Sequence, residues 1–305
     1  MIKFERTEEG LQNALAALAS ARHDQDINQE GELLLQLSWL VKWVRSDTDQ
    51  EPFKRSQQLA RDAIAVFRSS GNQRGLARAL IAACPLAPPE VQKRQFDEAE
   101  FLARELNDEL LLGHVIAAKS RSLGFVSRTE CEEFAREALR IYRKYGHDSG
   151  AAGCLFRLAI GSGTDLEKRK YAIEAYELHM KAGNPDEAVR SLTIAMMNCN
   201  SNAEKVALEP QWLRVMETSR GMTRTCYGHL AQIAVAKGSE SDAHHYLALA
   251  RQLEDDSTVT RYEQWESDVD LMKSLISLAH SCGNKELADS LGEVLNQLLQ
   301  ERPTE

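Results

Sequence analysis

Residues 56–71, SQQLARDAIAVFRSSG, contain the pattern that decides the fold. The small Ala63 and the large Phe67 are four residues apart, and Gly71 follows four residues later. Positions four apart share one face of a helix, and glycine readily adopts the left-handed conformation that ends a helix. The same arrangement recurs in EEFAREALRIYRKYG, residues 132–146, and in KYAIEAYELHMKAG, residues 170–183.

Helix-ending residues recur at nearly constant spacing along the chain. One series has intervals of 36, 39, 37 and 38 residues, and a second series follows it at an offset of 17. The first comprises Gly71, Asn107, Gly146, Gly183 and Gly221, and the second Pro88, Gly124, Gly163, Asn200 and Gly238. Self-similarity at this period is typical of solenoids, in which each hairpin buries its apolar face against its neighbours.

Residues 229–254, HLAQIAVAKGSESDAHHYLALARQLE, resemble the tetratricopeptide repeat. Small residues and a turn glycine stand at the expected places, and Tyr227 and Leu230 match its aromatic and leucine positions. The matching residues are Ala231, Gly238, Ala243 and Ala250. The longer units are similar to those of bacterial regulatory and sensor arrays, such as maltose-type activators and peptide-pheromone receptors. The resemblance implies an all-α fold, a right-handed α-solenoid of about six to seven helical hairpins with a repeat of 36–39 residues.

The period predicts one continuous array over residues 1–305. An N-terminal cap and the first helix of the array occupy residues 1–52, with a cap helix near residues 7–22. Tetratricopeptide-like hairpins fill residues 53–254, and an atypical acidic capping hairpin ends the chain at 255–305. In that cap, Gly283 is predicted to turn a long helix into a final one.

Composition favours closely packed helices. Hydrophobic residues make up 43% of the chain and aromatic residues only 6%, which is more typical of Ala- and Leu-rich helices than of an α/β enzyme. No stretch approaches the ~18 to 20 apolar residues of a membrane span, and MIKFERTEEG lacks the apolar core of a signal peptide. We therefore expect a soluble, cytoplasmic protein without membrane contacts.

The net charge of −9 is concentrated at one end. Residues 240–305 hold 14 acidic and 5 basic residues, a difference of −9, whereas residues 1–239 hold 32 of each. A polar outer face on a terminal repeat explains this best. Attraction of a basic partner is the alternative.

Motifs of enzymatic chemistry are missing. The chain has no phosphate-binding GxxxxGK loop, no HExxH zinc motif and no GxSxG nucleophile motif. The six cysteines form no CxxC pair, and Cys154 and Cys226 fall at apolar helix positions expected to be buried. His280 and Cys282 are too few for a metal site. We therefore expect no enzyme, metal or cofactor.

Several other residues allow two interpretations. Arg136, Arg140 and Arg143 form a stripe on one helix that suits a phosphate or acidic segment, but a solvated face paired with neighbouring glutamates is favoured. Trp39 and Trp43 are expected to pack in the core rather than bind a partner. Structural roles are also expected for four other residues. His179 is expected in the core with its hydrogen bonds satisfied, and Glu130, Glu132 and Glu133 on a solvated helix start.

In tetratricopeptide arrays the first helix of each hairpin lines a concave groove, so the resemblance implies a set of groove residues. Arg78 and Arg190 share one repeat position and would bind carboxylates of an acidic peptide, while Met197 and Val235 would supply apolar contact. The family's Lys and Asn clamp for a peptide carboxylate is not found. The predicted groove residues are Arg78, Arg157, Arg190, Thr193, Met197, Thr225, Gln232 and Val235.

The leading hypothesis is a non-enzymatic scaffold or adaptor that binds a protein or peptide with an acidic segment in this groove. The alternative is a ligand- or peptide-responsive regulator that acts through another chain. Direct nucleic-acid binding is not expected, and homo-oligomerisation stays open.

Overall fold

Sixteen α-helices and one 3-10 turn form the part of the chain that the computed structural model describes, residues 8–42, 51–122, 127–161, 163–219, 221–253 and 261–301. No strand occurs in these ranges, and none of the helices there is long and apolar enough to cross a membrane. The chain divides into two compact units, Met1–Gly150 and Ala151–Glu305.

The first unit begins with the predicted cap helix. Its helices are α1 (Glu8–His23), α2 (Ile27–Leu40), α3 (Pro52–Ser70), α4 (Gln73–Ala83), α5 (Pro89–Glu105), α6 (Glu109–Lys119) and α7 (Arg128–Lys144), with the 3-10 turn Cys84–Leu86 after α4. Each helix packs on the next in chain order, and α4 also contacts both α2 and α6. The unit boundary falls within the next helix, α8 (Asp148–Ala159).

The second unit continues the hairpins. Its remaining helices are α9 (Asp165–Lys181), α10 (Pro185–Met197), α11 (Asn202–Val206), α12 (Glu209–Met216), α13 (Thr223–Lys237), α14 (Glu240–Gln252), α15 (Arg261–Ser281) and α16 (Lys285–Gln300). Pairs α9 and α10, α13 and α14, and α15 and α16 pack closely, and α13 also contacts α10 and α15. Both units thus consist of helical hairpins packed in sequence, which confirms the all-α solenoid class.

The turn glycines explain where these helices end. Gly71, Gly146 and Gly183 have φ between 61° and 72°, the left-handed region that glycine adopts without steric cost. Asn107 takes the same conformation with φ 50°, as an asparagine tolerates best among residues with a side chain. Gly221 of the same series is an exception, since it is not in the left-handed region.

The core follows the predicted register. Ala63, Ala138 and Ala175 have no exposed surface, and the ring of Phe67 is also fully buried. The core positions of the following helices are also buried, for example Leu80, Leu155, Leu192 and Leu230. Small residues at a helix crossing let the two backbones approach closely.

One expectation was wrong. Trp39 is 50% exposed on α2 rather than packed in the core, and Trp43 lies outside the described residues.

The segment after Asn200 forms two short helices, α11 and α12. Pro210 lies in the first turn of α12, where it needs no hydrogen-bond donor, whereas within one continuous helix its missing N–H would break the ladder.

Below, the helices that the tetratricopeptide register places first in each hairpin are called A helices: these are α2, α4, α6, α8, α10 and α13.

Candidate functional site

Helix α10 carries three of the predicted groove residues on one stripe. Arg190, Thr193 and Met197 are spaced i, i+3 and i+7, which places them on one face. Arg190 is exposed and Met197 is 73% exposed, whereas Thr193 is half-buried and its hydroxyl donates to the Val189 carbonyl at 3.1 Å. The stripe therefore offers a cation and an apolar side chain.

Helix α13, which contacts α10, presents a second stripe. Thr225 and Gln232, both predicted for the groove, are half-buried there. His229 lies between them at i+4 and was missed by the sequence analysis. Its ring stacks on buried Trp212 with centroids 4.4 Å apart, and its Nδ1–H donates to Gln232 Oε1 at 3.3 Å. His229 could have been predicted from its position four residues after Thr225, which places both residues on one face of the helix.

Val235 is the predicted groove residue that the structure contradicts. It has no exposed surface and belongs to a core cluster with Ala231 and residues of α15. The reason is its angular position, since Val235 is four residues after Ala231 on the side of α13 that packs against α15. Arg157 is half-buried on α8.

Arg78, in the first unit, is already paired. Its Nη1 lies 2.6 Å from Glu32 Oε1 on the neighbouring A helix α2, and both side chains are about one-third exposed. Arg74, one turn earlier on α4, pairs with Asp108 at 3.0 Å. The sequence predicted that the Arg78 guanidinium would bind the carboxylates of an acidic peptide, but it already binds the Glu32 carboxylate. Arg190 belongs to the second unit, so a groove shared by the two arginines stays a prediction.

His114 on α6 forms the centre of a polar aromatic cluster in the first unit. Its Nδ1 and the Tyr142 hydroxyl share a hydrogen bond of 2.8 Å, and its ring lies edge-on to His147 at 5.2 Å. The Gly150 N–H donates to His147 Nδ1 at 3.0 Å. Burial, then electrostatic interaction with His147 and Arg78, lowers the pKa of His114 to about 4, so the imidazole is neutral near pH 7.

Two basic residues on the stripe side of α7, Arg136 and Lys144, are paired with carboxylates. Arg136 lies 3.5 Å from Glu132, and Lys144 forms a close ion pair with Glu109, as expected for a face paired with carboxylates. Glu132 itself is buried rather than solvated, which corrects the expectation of a solvated helix start. Glu130 caps the helix by accepting from the Ser127 N–H at 2.7 Å.

The cysteines and histidines offer little reactivity. Cys154 and Cys226 are buried thiols as predicted, and burial raises the pKa of Cys226 to about 12. His179 is buried as expected, but its Nδ1 makes no hydrogen bond with any described residue, which corrects the expectation of a satisfied histidine. Within the described ranges, no cluster of three or more potential ligands could hold a metal ion.

The neutral histidines predict a pH-dependent stability. Burial lowers the pKa of both His114 and His229 from 6.5 to about 4, whereas the unfolded chain should titrate near its ordinary value. Below pH 6.5 the unfolded state therefore binds more protons. Above pH 6.5 the two histidines should not reduce the free energy of unfolding. As the pH falls from 6.5 towards 4, the free energy of unfolding should decrease by up to about 1.4 kcal/mol per pH unit for each histidine.

Urea denaturation at a series of pH values measures this slope. A His114→Gln/His229→Gln variant should show a flatter profile between pH 6.5 and 4. An unchanged slope in that variant would assign the acid sensitivity to other groups. Near His114 the other titratable or charged groups are His147, Arg74, Arg78 and Asp108.

Comparisons with known proteins leave the family open. No protein-family model matches the chain, and no curated protein matches it. One similar solved structure is described as a circular tandem repeat protein with novel repeat topology and enhanced subunit contact surfaces. The match is 16% identical, covers 97% of this chain and 76% of that one, and has a TM-score of 0.30.

Proposed function

We propose that this protein binds a protein or peptide partner through the exposed faces of the A helices α10 and α13, without catalysing a reaction. The observation that carries the proposal is the face of α10, where Met197 is 73% exposed beside exposed Arg190. A flexible thioether adapts to apolar surfaces, and a guanidinium binds carboxylates through two parallel hydrogen bonds. The polar stripe of α13 extends this face.

Arg190 is more available to a partner than Arg78. Its Nη1 lies 3.9 Å from Glu187 Oε1, both side chains are more than 40% exposed, and such surface contacts contribute little to stability. A partner carboxylate can therefore replace Glu187 with little loss. Arg78 would first have to leave Glu32, which it contacts at 2.6 Å.

The spacing on α10 defines the partner further. Seven residues separate Arg190 from Met197, a rise of about 10 Å along the helix. An extended peptide advances about 3.3 Å per residue, so this distance corresponds to roughly three residues. The proposed partner segment is extended and carries an acidic residue about three positions from an apolar one.

Affinity capture from source-cell lysate, followed by titration calorimetry with the purified partner, tests this function. Arg190→Glu/Met197→Glu should lose the captured protein and weaken its Kd at least tenfold, since a hot-spot residue contributes about 2 kcal/mol or more. The matched control is Arg214→Glu on α12, a 61% exposed arginine 3.5 Å from Glu177. If the double variant retains the partner, or the control loses it equally, this face is not the binding site.

A further inference from the structure

A cavity of about 100 Å³ lies in the first unit where the end of α2, the start of α3 and the end of α4 meet. Its walls are mostly apolar and include Phe53, Ala82, Ala83 and Pro85. Ser56 also lines it, but its hydroxyl already donates to the Ser38 carbonyl at 2.6 Å. The serine therefore needs no ligand.

Lys42 is the charged group at this cavity. Burial lowers the pKa of its amino group, and no opposing charge offsets that effect. Among the described residues, no carboxylate or other side chain pairs with its ammonium. A half-buried charge in an apolar setting is unfavourable unless a counter-charge compensates it.

Two other lysines of this protein are compensated by a carboxylate. Lys119, whose side chain is 11% exposed, forms a close ion pair with Glu100. Lys237 binds Glu209 at 2.9 Å. Lys42 differs from both because it faces apolar walls instead of an acidic side chain.

We propose that this cavity binds a small monocarboxylate, with the apolar body between Phe53 and Ala82 and the carboxylate on the Lys42 ammonium. Apolar cavities of about 150 Å³ hold a benzene ring, so a slightly smaller, partly open cavity accepts a ring or a short alkyl chain. Phe53 is 58% exposed and can cover the part of the ligand that protrudes. The site uses none of the residues of the α10 and α13 faces.

Benzoate is the probe, titrated into the full chain and followed by nuclear magnetic resonance of the dimethylated lysines. We expect saturable binding, a rise in the Lys42 pKa on binding, and at least tenfold weaker binding of benzamide, which has the same shape without the charge. Lys42→Met should weaken benzoate at least tenfold while keeping an apolar stem of similar length. Ala82→Leu, which fills the cavity, should abolish binding.

Lys93→Met is the matched control, since Lys93 is 66% exposed and pairs with Asp97 at 2.8 Å away from the cavity. It should bind benzoate like the wild type. The proposal is overturned if the folded wild type shows no saturable binding, if benzamide binds as well as benzoate, or if both Lys42→Met and Ala82→Leu bind normally. Circular dichroism of each variant verifies that it is folded.

Discussion

Asp268→Ala is expected to lower the free energy of unfolding of the second unit by about 3–5 kcal/mol, because it takes the carboxylate away from a buried guanidinium. Asp268 on α15 forms a close ion pair with Arg224 on α13, and both residues are 6% exposed. One turn further along, a Cβ on Gly228 would lie 3.7 Å from Leu271, so the two helices approach closely there. The pair therefore lies inside the contact that joins the C-terminal hairpin to α13.

Urea denaturation followed by tryptophan fluorescence measures this loss, because the Trp212 indole is fully buried in the same unit and contributes to the signal. Asp270→Ala is the control, since Asp270 lies two residues away, is 80% exposed, and should change stability by less than about 0.5 kcal/mol. Arg224→Met/Asp268→Leu should recover most of the loss, because apolar side chains avoid the cost of desolvating two charges. A loss below about 1 kcal/mol for Asp268→Ala would show that the pair contributes little.

The sequence was most informative where one residue determines local geometry. Gly71, Gly146, Gly183, Gly238 and Gly283 all end helices in the left-handed region, because glycine alone has no Cβ to resist it. The inner alanines were predictable for a similar reason, since helix periodicity fixes which positions face a neighbour. The final turn at Gly283 and the long helix before it followed from the same rules.

The candidate site could not be predicted fully from local sequence patterns, because it depends on contacts between residues that are far apart in the chain. Arg78 is paired because Glu32, 46 residues away, lies on the adjacent A helix, and no periodicity reveals that partner. Val235 is buried because α15 packs on that side of α13. From the sequence alone, His229 would be interpreted as a core histidine. In the structure it lies between Thr225 and Gln232 on α13.

Phe67 occupies a space that two glycines create. A Cβ added to Gly31 or Gly75 would lie 2.5 Å from the fully buried ring, far inside normal contact distance. Tyr142 has the same relation to Gly150, where the added Cβ would lie 2.8 Å from the ring. In both repeats the large residue is four positions before the turn and the glycine four positions after it.

The repeat around Asn107 reverses these sizes. It has Ala103 before the turn and Leu111 after it, and both are buried in the same core cluster as Phe67. The fold thus accepts either a large residue before the turn with a small one after it, or the opposite order. This natural exchange suggests how to test whether the two positions share one volume.

Gly75→Leu alone should lower the free energy of unfolding by about 3 kcal/mol, because overpacking forces the ring or the backbone to move. Phe67→Ala alone should lower it by about 3–5 kcal/mol through the cavity it leaves. The double variant, which copies Ala103 and Leu111, should lose about 3–5 kcal/mol instead of the additive loss of about 6–8 kcal/mol, since the coupling energy between contacting residues reaches about 3 kcal/mol.

Urea denaturation of the three variants measures that coupling energy. Gly153→Leu is the matched control, because Gly153 lies on α8 with no atom within 4 Å of an added Cβ and should tolerate leucine or gain slightly from its higher helix propensity. Additive losses in the double variant would mean that the two positions do not share one volume. In that case the size exchange between repeats would reflect backbone shifts rather than complementary side chains.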